Sequence, residues 1–244
     1  MHIENTRAIS QPWLHFFFYG DTGSGKTTAA SSMPSPLFLV PANEGSELTL
    51  AGRDVDFVKV GRDPAGRTID VRDHMHQILC DLEARATKYH AGDVDALPWE
   101  TIVTESLTHY CDMLVAGISE DGRKQMDMQK WGLVSTHLQQ IHARLRRLPC
   151  HVVFTALAQL KENDGKQVVG MPSVQGAMAV KMPSACDIIG YCEELPPSRG
   201  SQSSTYRMHF SKSGPYMARA RFSGFPRFID NFTFDQIAPL CGLV

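Results

Sequence analysis

The stretch Gly20-Asp21-Thr22-Gly23-Ser24-Gly25-Lys26-Thr27 fits the pattern G-x-x-x-x-G-K-[ST] without a mismatch. Residues of these types in this order suit the binding of a polyphosphate. The glycines let successive backbone N–H groups curl around phosphate oxygens, a lysine ammonium reaches the β- and γ-phosphates, and the next hydroxyl faces a Mg²⁺ ion. Thr28 continues the loop into a helix whose N-terminal dipole favours negative charge. Gly20 to Thr28 are therefore the expected nucleotide contacts, with ATP and Mg²⁺ as the implied cofactors. A turn serving structure alone would need neither Lys26 nor Thr27.

Phosphoryl transfer from a bound nucleotide also needs an acid associated with the metal and a group that orients the attacking water. Two strand ends supply carboxylates. Glu105 follows the apolar run Thr101-Ile102-Val103-Thr104 and is the expected Mg²⁺ partner of Thr27, directly or through water. Glu44 lies in the polar turn Pro41–Glu47, after the run Leu37–Val40, and is the expected base. The plainer alternatives are a carboxylate favoured by a helix dipole at 105 and a solvated turn residue at 44.

The elements that must position these groups alternate. Trp13–Tyr19 is apolar on both faces, as a central strand of a helix-covered parallel sheet would be. A helix is expected over Lys26–Ser32, strands at Leu37–Val40 and Val55–Val60, and a helix over Asp70–Tyr89 with Met75, Ile78 or Leu79, Leu82, Ala86 and Tyr89 on its buried face. The strand Thr101–Thr104 then leads into a helix through Leu107–Ile118. Asp127 caps a long helix whose buried stripe is Trp131, Val134, Leu138, Ile141, Leu145 and Leu148. Cys150–Thr155 is another buried strand. Beyond it, 158–182 reads as a long polar loop holding Lys161, Asn163, Asp164, Lys166 and Lys181. The segments Cys186–Cys192, Thr205–Phe210 and Tyr216–Phe222 read as strands, and Asp235–Leu240 as a short closing helix. The expected fold is α/β, with a mostly parallel central sheet covered by helices and a β-rich C-terminal part. An arm at 1–12 precedes a single core at 13–244, divided into a nucleotide-binding part at 13–156, the loop at 157–182 and the β-rich part at 183–244.

Composition sets the outer bounds. The chain has 244 residues, 43% of them hydrophobic and 20% charged, which suits one soluble globular unit. No apolar run is long enough to span a bilayer, and the N-terminus lacks a secretory pattern, so a cytoplasmic protein is expected. Six scattered cysteines without a C-x-x-C pair argue against a zinc site or a disulfide framework. A formal net charge of −2 means that any contact with nucleic acid would depend on a local basic surface.

The arrangement resembles the RecA-like ATPases. The resemblance rests on the phosphate loop at 20–27, on Asn43-Glu44-Gly45 where that family keeps its water-activating Glu, and on Ile102-Val103-Thr104-Glu105-Ser106 in place of its strand ending in Asp-Ser. It also includes Phe154-Thr155-Ala156-Leu157-Ala158-Gln159, which implies Thr155 or Gln159 as the γ-phosphate sensor. The loop after it takes the place of the family's DNA-binding loop, and Ala218-Arg219-Ala220-Arg221-Phe222 looks like the paired basic residues that reach a neighbouring subunit's nucleotide. The short length is similar to that of core-only RecA-like proteins of bacteriophages, some of them single-strand annealing recombinases. The resemblance implies ATP hydrolysis, action on single-stranded DNA through Lys161, Lys166 and Lys181, and self-association into a ring or filament. It also implies catalytic roles for Lys26, Glu44, Glu105, Arg219 and Arg221.

Two features depart from that family. Glu105 is one methylene longer than the usual Asp, and the N-terminal segment is too short for a separate polymerisation domain. Other classes fit less well. A GTPase would carry an Asn/Thr-Lys-x-Asp motif, a nucleotide kinase a basic lid, and a AAA+ motor a helical lid where this tail reads as strands. A nucleotide-binding scaffold or annealing module with little turnover is the non-enzymatic alternative.

Overall fold

The strand that feeds the phosphate loop occupies the middle of the sheet. In the computed structural model, which describes residues 13–119, 125–162, 165–197 and 203–243, this strand is β1 (His15–Gly20). It is flanked by β5 (His151–Glu162) and β7 (Ile188–Leu195), both parallel to it. Beyond β5 lie β4 (Thr101–Thr104), β2 (Pro36–Pro41) and β3 (Asp56–Val60), each parallel to its neighbour. Six strands thus run in one direction in the order β3-β2-β4-β5-β1-β7. Every loop after their carboxyl ends opens on the same edge, where ligands of open α/β sheets bind.

Side-chain alternation along β1 divides the core in two. Phe17 and Tyr19 join Phe154, Ile102 and Leu39 beneath α3 (Val71–His90), α4 (Leu107–Ile118), α5 (Met128–Leu145) and α6 (Met178–Ser184). Phe16 and Phe18 face the other way, with Val103 and Val153, against α1 (Lys26–Ala30) and the tail residues Phe232, Phe234 and Ile237. Burial on both faces is why β1 reads as an unbroken apolar run. A single turn of helix, α2 (Glu47–Leu50), sits between β2 and β3. Asp70 and Asp127 cap α3 and α5 by accepting from backbone N–H groups in the first turn.

Three expectations need correction. The stretch read as a loop at 158–182 is largely regular: β5 runs on to Glu162 and pairs antiparallel with β6 (Val168–Pro172), and α6 follows. Its polar composition marks an exposed hairpin, whose backbone groups are satisfied by the ladder. Asn163 and Asp164 lie outside the described residues, as does the arm at 1–12. Trp131 does not belong to the buried stripe of α5, because it falls in the first turn and is exposed, while Val134, Leu138, Ile141 and Leu145 are buried. The sheet is also mixed. Strand β8 (Thr205–His209) runs antiparallel to the end of β7 and β11 (Phe228–Asp230) runs antiparallel to β8. At the start of β7 the antiparallel neighbour is β10 (Tyr216–Ala220), on which the short β9 (Ser211–Ser213) packs.

Candidate nucleotide site

Gly20 ends β1 opposite Leu157 of β5 and Cys192 of β7. A Cβ at Gly20 would lie 2.1 Å from the Cys192 carbonyl oxygen, so only glycine lets the chain leave the sheet here. Gly25, at φ +86°, turns the chain into α1 in the left-handed region that side chains avoid. Between them Asp21, Thr22 and Gly23 are exposed, whereas Ser24 and Lys26 are buried. The Lys26 ammonium donates to the carbonyls of Gly20 (3.1 Å) and Asp21 (2.7 Å) and to Ser24 Oγ (3.3 Å). It therefore ties the two ends of the loop together from within. Burial pushes its pKa below the ordinary lysine value, against the opposing pull of nearby Glu105, Asp21 and Glu44.

Glu105 reaches the same place from β4. Thr27 Oγ1 donates to Glu105 Oε1 at 2.8 Å, joining residues 78 positions apart. The Glu105 side chain is only 3% exposed, and its Oε2, with Thr104 Oγ1 and Ser106 Oγ nearby in sequence, has no hydrogen-bond partner among the described residues. Desolvation raises the Glu105 pKa, an effect only partly offset by the hydroxyls of Thr27 and Thr155 and by the Lys26 charge. Buried polar atoms without partners carry a free-energy cost that a ligand can relieve. A hydroxyl in contact with a carboxylate that has one free oxygen fits Mg²⁺, which takes one or two protein oxygens and completes its shell with water and phosphate. Among the described residues no cluster of three or more His, Cys, Asp or Glu could hold a metal alone.

A sequence model of one protein family, described as an AAA domain, matches residues 14–222. The chain belongs to this AAA-domain family. No curated protein matches it. Membership makes the chain a nucleotide-binding P-loop protein of α/β fold, and AAA-type domains ordinarily bind their nucleotide with Mg²⁺. The sequence had set it apart from AAA+ motors because of its tail. Over 203–243 that tail is strands and two short 3₁₀ turns, and the family match extends into it as far as residue 222.

The remaining candidate residues of this AAA domain are spread unevenly. Glu44 is near enough to act on the charges of both Lys26 and Glu105. Its Oε2, however, accepts from the backbone N–H of Ser46 at 2.6 Å and from the Ser46 hydroxyl, closing the turn before α2. Thr155 is fully buried beside Glu105, two residues before the position opposite Gly20. Gln159 lies two residues beyond that position, and its side-chain amide donates to Pro172 O at 2.9 Å across the β5–β6 hairpin. Lys161 and Lys166 are exposed on that hairpin and Lys181 is exposed on α6.

Arg219 and Arg221 sit at the opposite edge of the sheet. Arg219 is paired with Ile189 at the start of β7 and donates to the carbonyls of Ser184 (3.1 Å) and Cys186 (2.9 Å) at the end of α6. Arg221 donates to Ser184 O (3.0 Å) and to the buried carboxylate of Asp187 (3.3 Å). Within one chain the pair therefore holds a helix end and stands apart from the phosphate loop. Arg144, a basic residue near the end of α5, has a comparable structural task in its paired bonds of 2.7 Å to Glu83 of α3.

Two residues near the site had no signal in the sequence. Thr108, in the first turn of α4, accepts from Leu157 N (3.0 Å) and donates to Ser173 O (2.9 Å), linking the turn after Glu105 to the base of the hairpin. Tyr206 of β8 lies against Gly25, where a Cβ would meet its ring at 3.0 Å. Neither position belongs to a local motif. Only the folded sheet brings them close.

Proposed function

We propose that this protein binds and hydrolyses ATP with Mg²⁺ and works as a RecA-like protein on single-stranded DNA in recombination, annealing or replication. The observation that carries the ATPase reading is the Thr27–Glu105 hydrogen bond, which joins the phosphate loop to a buried carboxylate with one unpartnered oxygen. Phosphate oxygens at the loop would draw the Lys26 ammonium from the Gly20 and Asp21 carbonyls, and their charge would restore its ordinary affinity for a proton. Thr27 and Glu105 would hold the Mg²⁺, whose positive charge screens the phosphates and favours the ionised form of Glu105. Glu44, released from Ser46, would orient the attacking water and accept its proton. Oxygen then bonds to the γ-phosphorus, the bond to the bridging oxygen breaks, and ADP and inorganic phosphate result.

The DNA part of the reading is supported by the β5–β6 hairpin, which carries Lys161 and Lys166 beyond the sheet edge that holds the loop. ATP turnover should rise when single-stranded DNA is added. Lys161→Ala with Lys166→Ala should weaken DNA binding and reduce the slope of log K against log salt by about 1 to 1.5, near 0.7 for each lost phosphate contact. A flat response of turnover to DNA would leave a nucleotide-dependent scaffold as the better reading, and an unchanged salt slope would remove the hairpin from the interface.

Self-association completes the proposal. Arg219 and Arg221 are remote from their own loop, so any contact they make with nucleotide is with a neighbouring copy. A mixture of Arg219→Ala/Arg221→Ala protein with Glu44→Gln protein, each inactive alone, should recover partial turnover through composite sites. Parent-rate hydrolysis by the double-arginine protein would end the catalytic role of the pair.

A further inference from the structure

Between α1 and the β-rich tail lies a cavity of about 150 Å³ that shares Ser24, Gly25 and Thr28 with the phosphate loop. An apolar cavity of this size admits a single aromatic ring, and one open at its mouth takes a larger group. Its walls come from three distant parts of the chain. Ala29 of α1, Cys192 of β7 and Met208 of β8 are buried and apolar, Phe232 is also buried, and Tyr206 is 38% exposed. Thr28 directly follows Thr27, whose hydroxyl bonds Glu105 and would hold the Mg²⁺, so the cavity begins where a bound polyphosphate would end.

Two of the polar groups in this cavity, whose lining also includes Arg53 and Arg207, are fixed in place by hydrogen bonds. Asn231 has a left-handed backbone (φ +51°) and exchanges two bonds with Tyr206: its Oδ1 accepts from Tyr206 N at 3.1 Å, and its own N–H donates to Tyr206 O at 2.6 Å. With Oδ1 committed, the side chain offers Nδ2 as a donor. On the opposite wall Ser32 Oγ is fully engaged, donating to Ala29 O and accepting from Phe234 N. The cavity thus presents apolar and aromatic walls with a small number of positioned polar groups, the usual make-up of a small-molecule site.

The geometry points to this cavity as the nucleoside pocket of the site, with Tyr206 as the ring against which the base packs and Asn231 Nδ2 as the donor that reads an acceptor on the base edge. This inference rests on the nucleotide-binding reading above and extends it to the end of the ligand that the phosphate loop cannot distinguish. It assigns recognition of the base to the β-rich tail, leaving the phosphates to the loop. Tyr206 also touches Gly25, so the same ring closes the gap between base and loop.

The test compares Mg·ATP with Mg·tripolyphosphate, which has the phosphates and no nucleoside, by calorimetry on the full chain. The parent protein should bind ATP at least about 10-fold more tightly than tripolyphosphate, a difference of about 1.4 kcal/mol. Tyr206→Ala should lose most of that preference, its loss of ATP affinity exceeding any loss for tripolyphosphate that follows from the ring's contact with Gly25. Asn231→Asp keeps the acceptor for Tyr206 N and replaces the Nδ2 donor with a carboxylate oxygen, so it should lose ATP affinity in a protein that retains the parent circular dichroism. Equal loss of both ligands in Tyr206→Ala, or unchanged ATP affinity in both variants, would overturn the pocket while leaving the phosphate loop intact. Failure of the parent to bind either ligand would instead remove the nucleotide reading, and the pocket with it.

Discussion

The two edges of the parallel sheet are built on opposite plans. At the carboxyl edge, the Gly20–Thr27 loop is open to solvent at its apex, and Glu105 is buried with an unpartnered oxygen. At the amino edge, the buried Asp187 accepts from His15 N (2.9 Å), stands 3.3 Å from His15 Nδ1 and is paired with Arg221. Burial alone would raise the Asp187 pKa, but the His15 bonds and the Arg221 charge hold it below the usual carboxylate range. One carboxylate is left short of partners and the other is saturated. Of these two carboxylates, the one short of partners stands at the nucleotide end of the strands, and the saturated one stands at the end where β1, β7 and Arg221 are fastened together.

The contrast breaks most sharply if the carboxyl edge proves dispensable. Lys26→Ala should reduce ATP turnover by at least about 10³-fold in a protein with unchanged circular dichroism, because it removes the one cation inside the loop. Glu44→Gln should bind ATP but hydrolyse it about 10²- to 10⁴-fold more slowly, the range for loss of a general base. Single-turnover rates decide the assignment: normal turnover in Glu44→Gln with loss in Glu105→Gln would move the base to position 105.

At the amino edge the expected effects are on stability. Asp187→Ala should cost about 1 to 3 kcal/mol in urea denaturation, because it leaves the buried His15 N–H without its acceptor, with ATP affinity unchanged. A fall in ATP affinity at parent stability would show that the two edges are not separable.

A further effect concerns pH. His142 and His151 are pushed down to about 4, mainly by burial and then by neighbouring charge. Both bind protons more weakly folded than unfolded, so their neutral forms support the fold above pH 6.5, and that support is lost as pH falls from 6.5 towards 4. Urea midpoints at pH 7 and pH 5 should show a loss approaching 1.4 kcal/mol per pH unit for each histidine. Replacing both by Gln should flatten this slope.

The carboxyl edge was the more legible in sequence, for a physical reason. A phosphate loop is a local device whose glycines, lysine and hydroxyl must follow one another, and a buried parallel strand leaves an apolar run such as Ile102-Val103. The cap at Asp127 was local too. What stayed hidden depends on contacts between distant residues. The hairpin of β5 and β6 carries too little apolar alternation to stand out from a polar loop, and Trp131 fits the helical period while lying one turn beyond the core. Tyr206 and Asn231 meet only because β8 and β11 pair. The resemblance gave Arg219 and Arg221 a neighbouring subunit's nucleotide as their target, whereas their partners within the chain, the carbonyls ending α6 and the Asp187 carboxylate, cannot be seen in a sequence.

Strand β5 is buried from His151 to Ala156 and exposed from Leu160 to Glu162, although it is one continuous strand. Its amide hydrogens must therefore exchange by two routes. Those paired with β1 and β4 can reach solvent only when the whole domain opens, while those paired with β6 need only a local fraying of the hairpin. Protection should fall along its length within a few residues, with the step near Leu157, whose N–H is held by Thr108. A ligand that grips the hairpin would move that step outward, giving a residue-by-residue clock for events at the nucleotide edge.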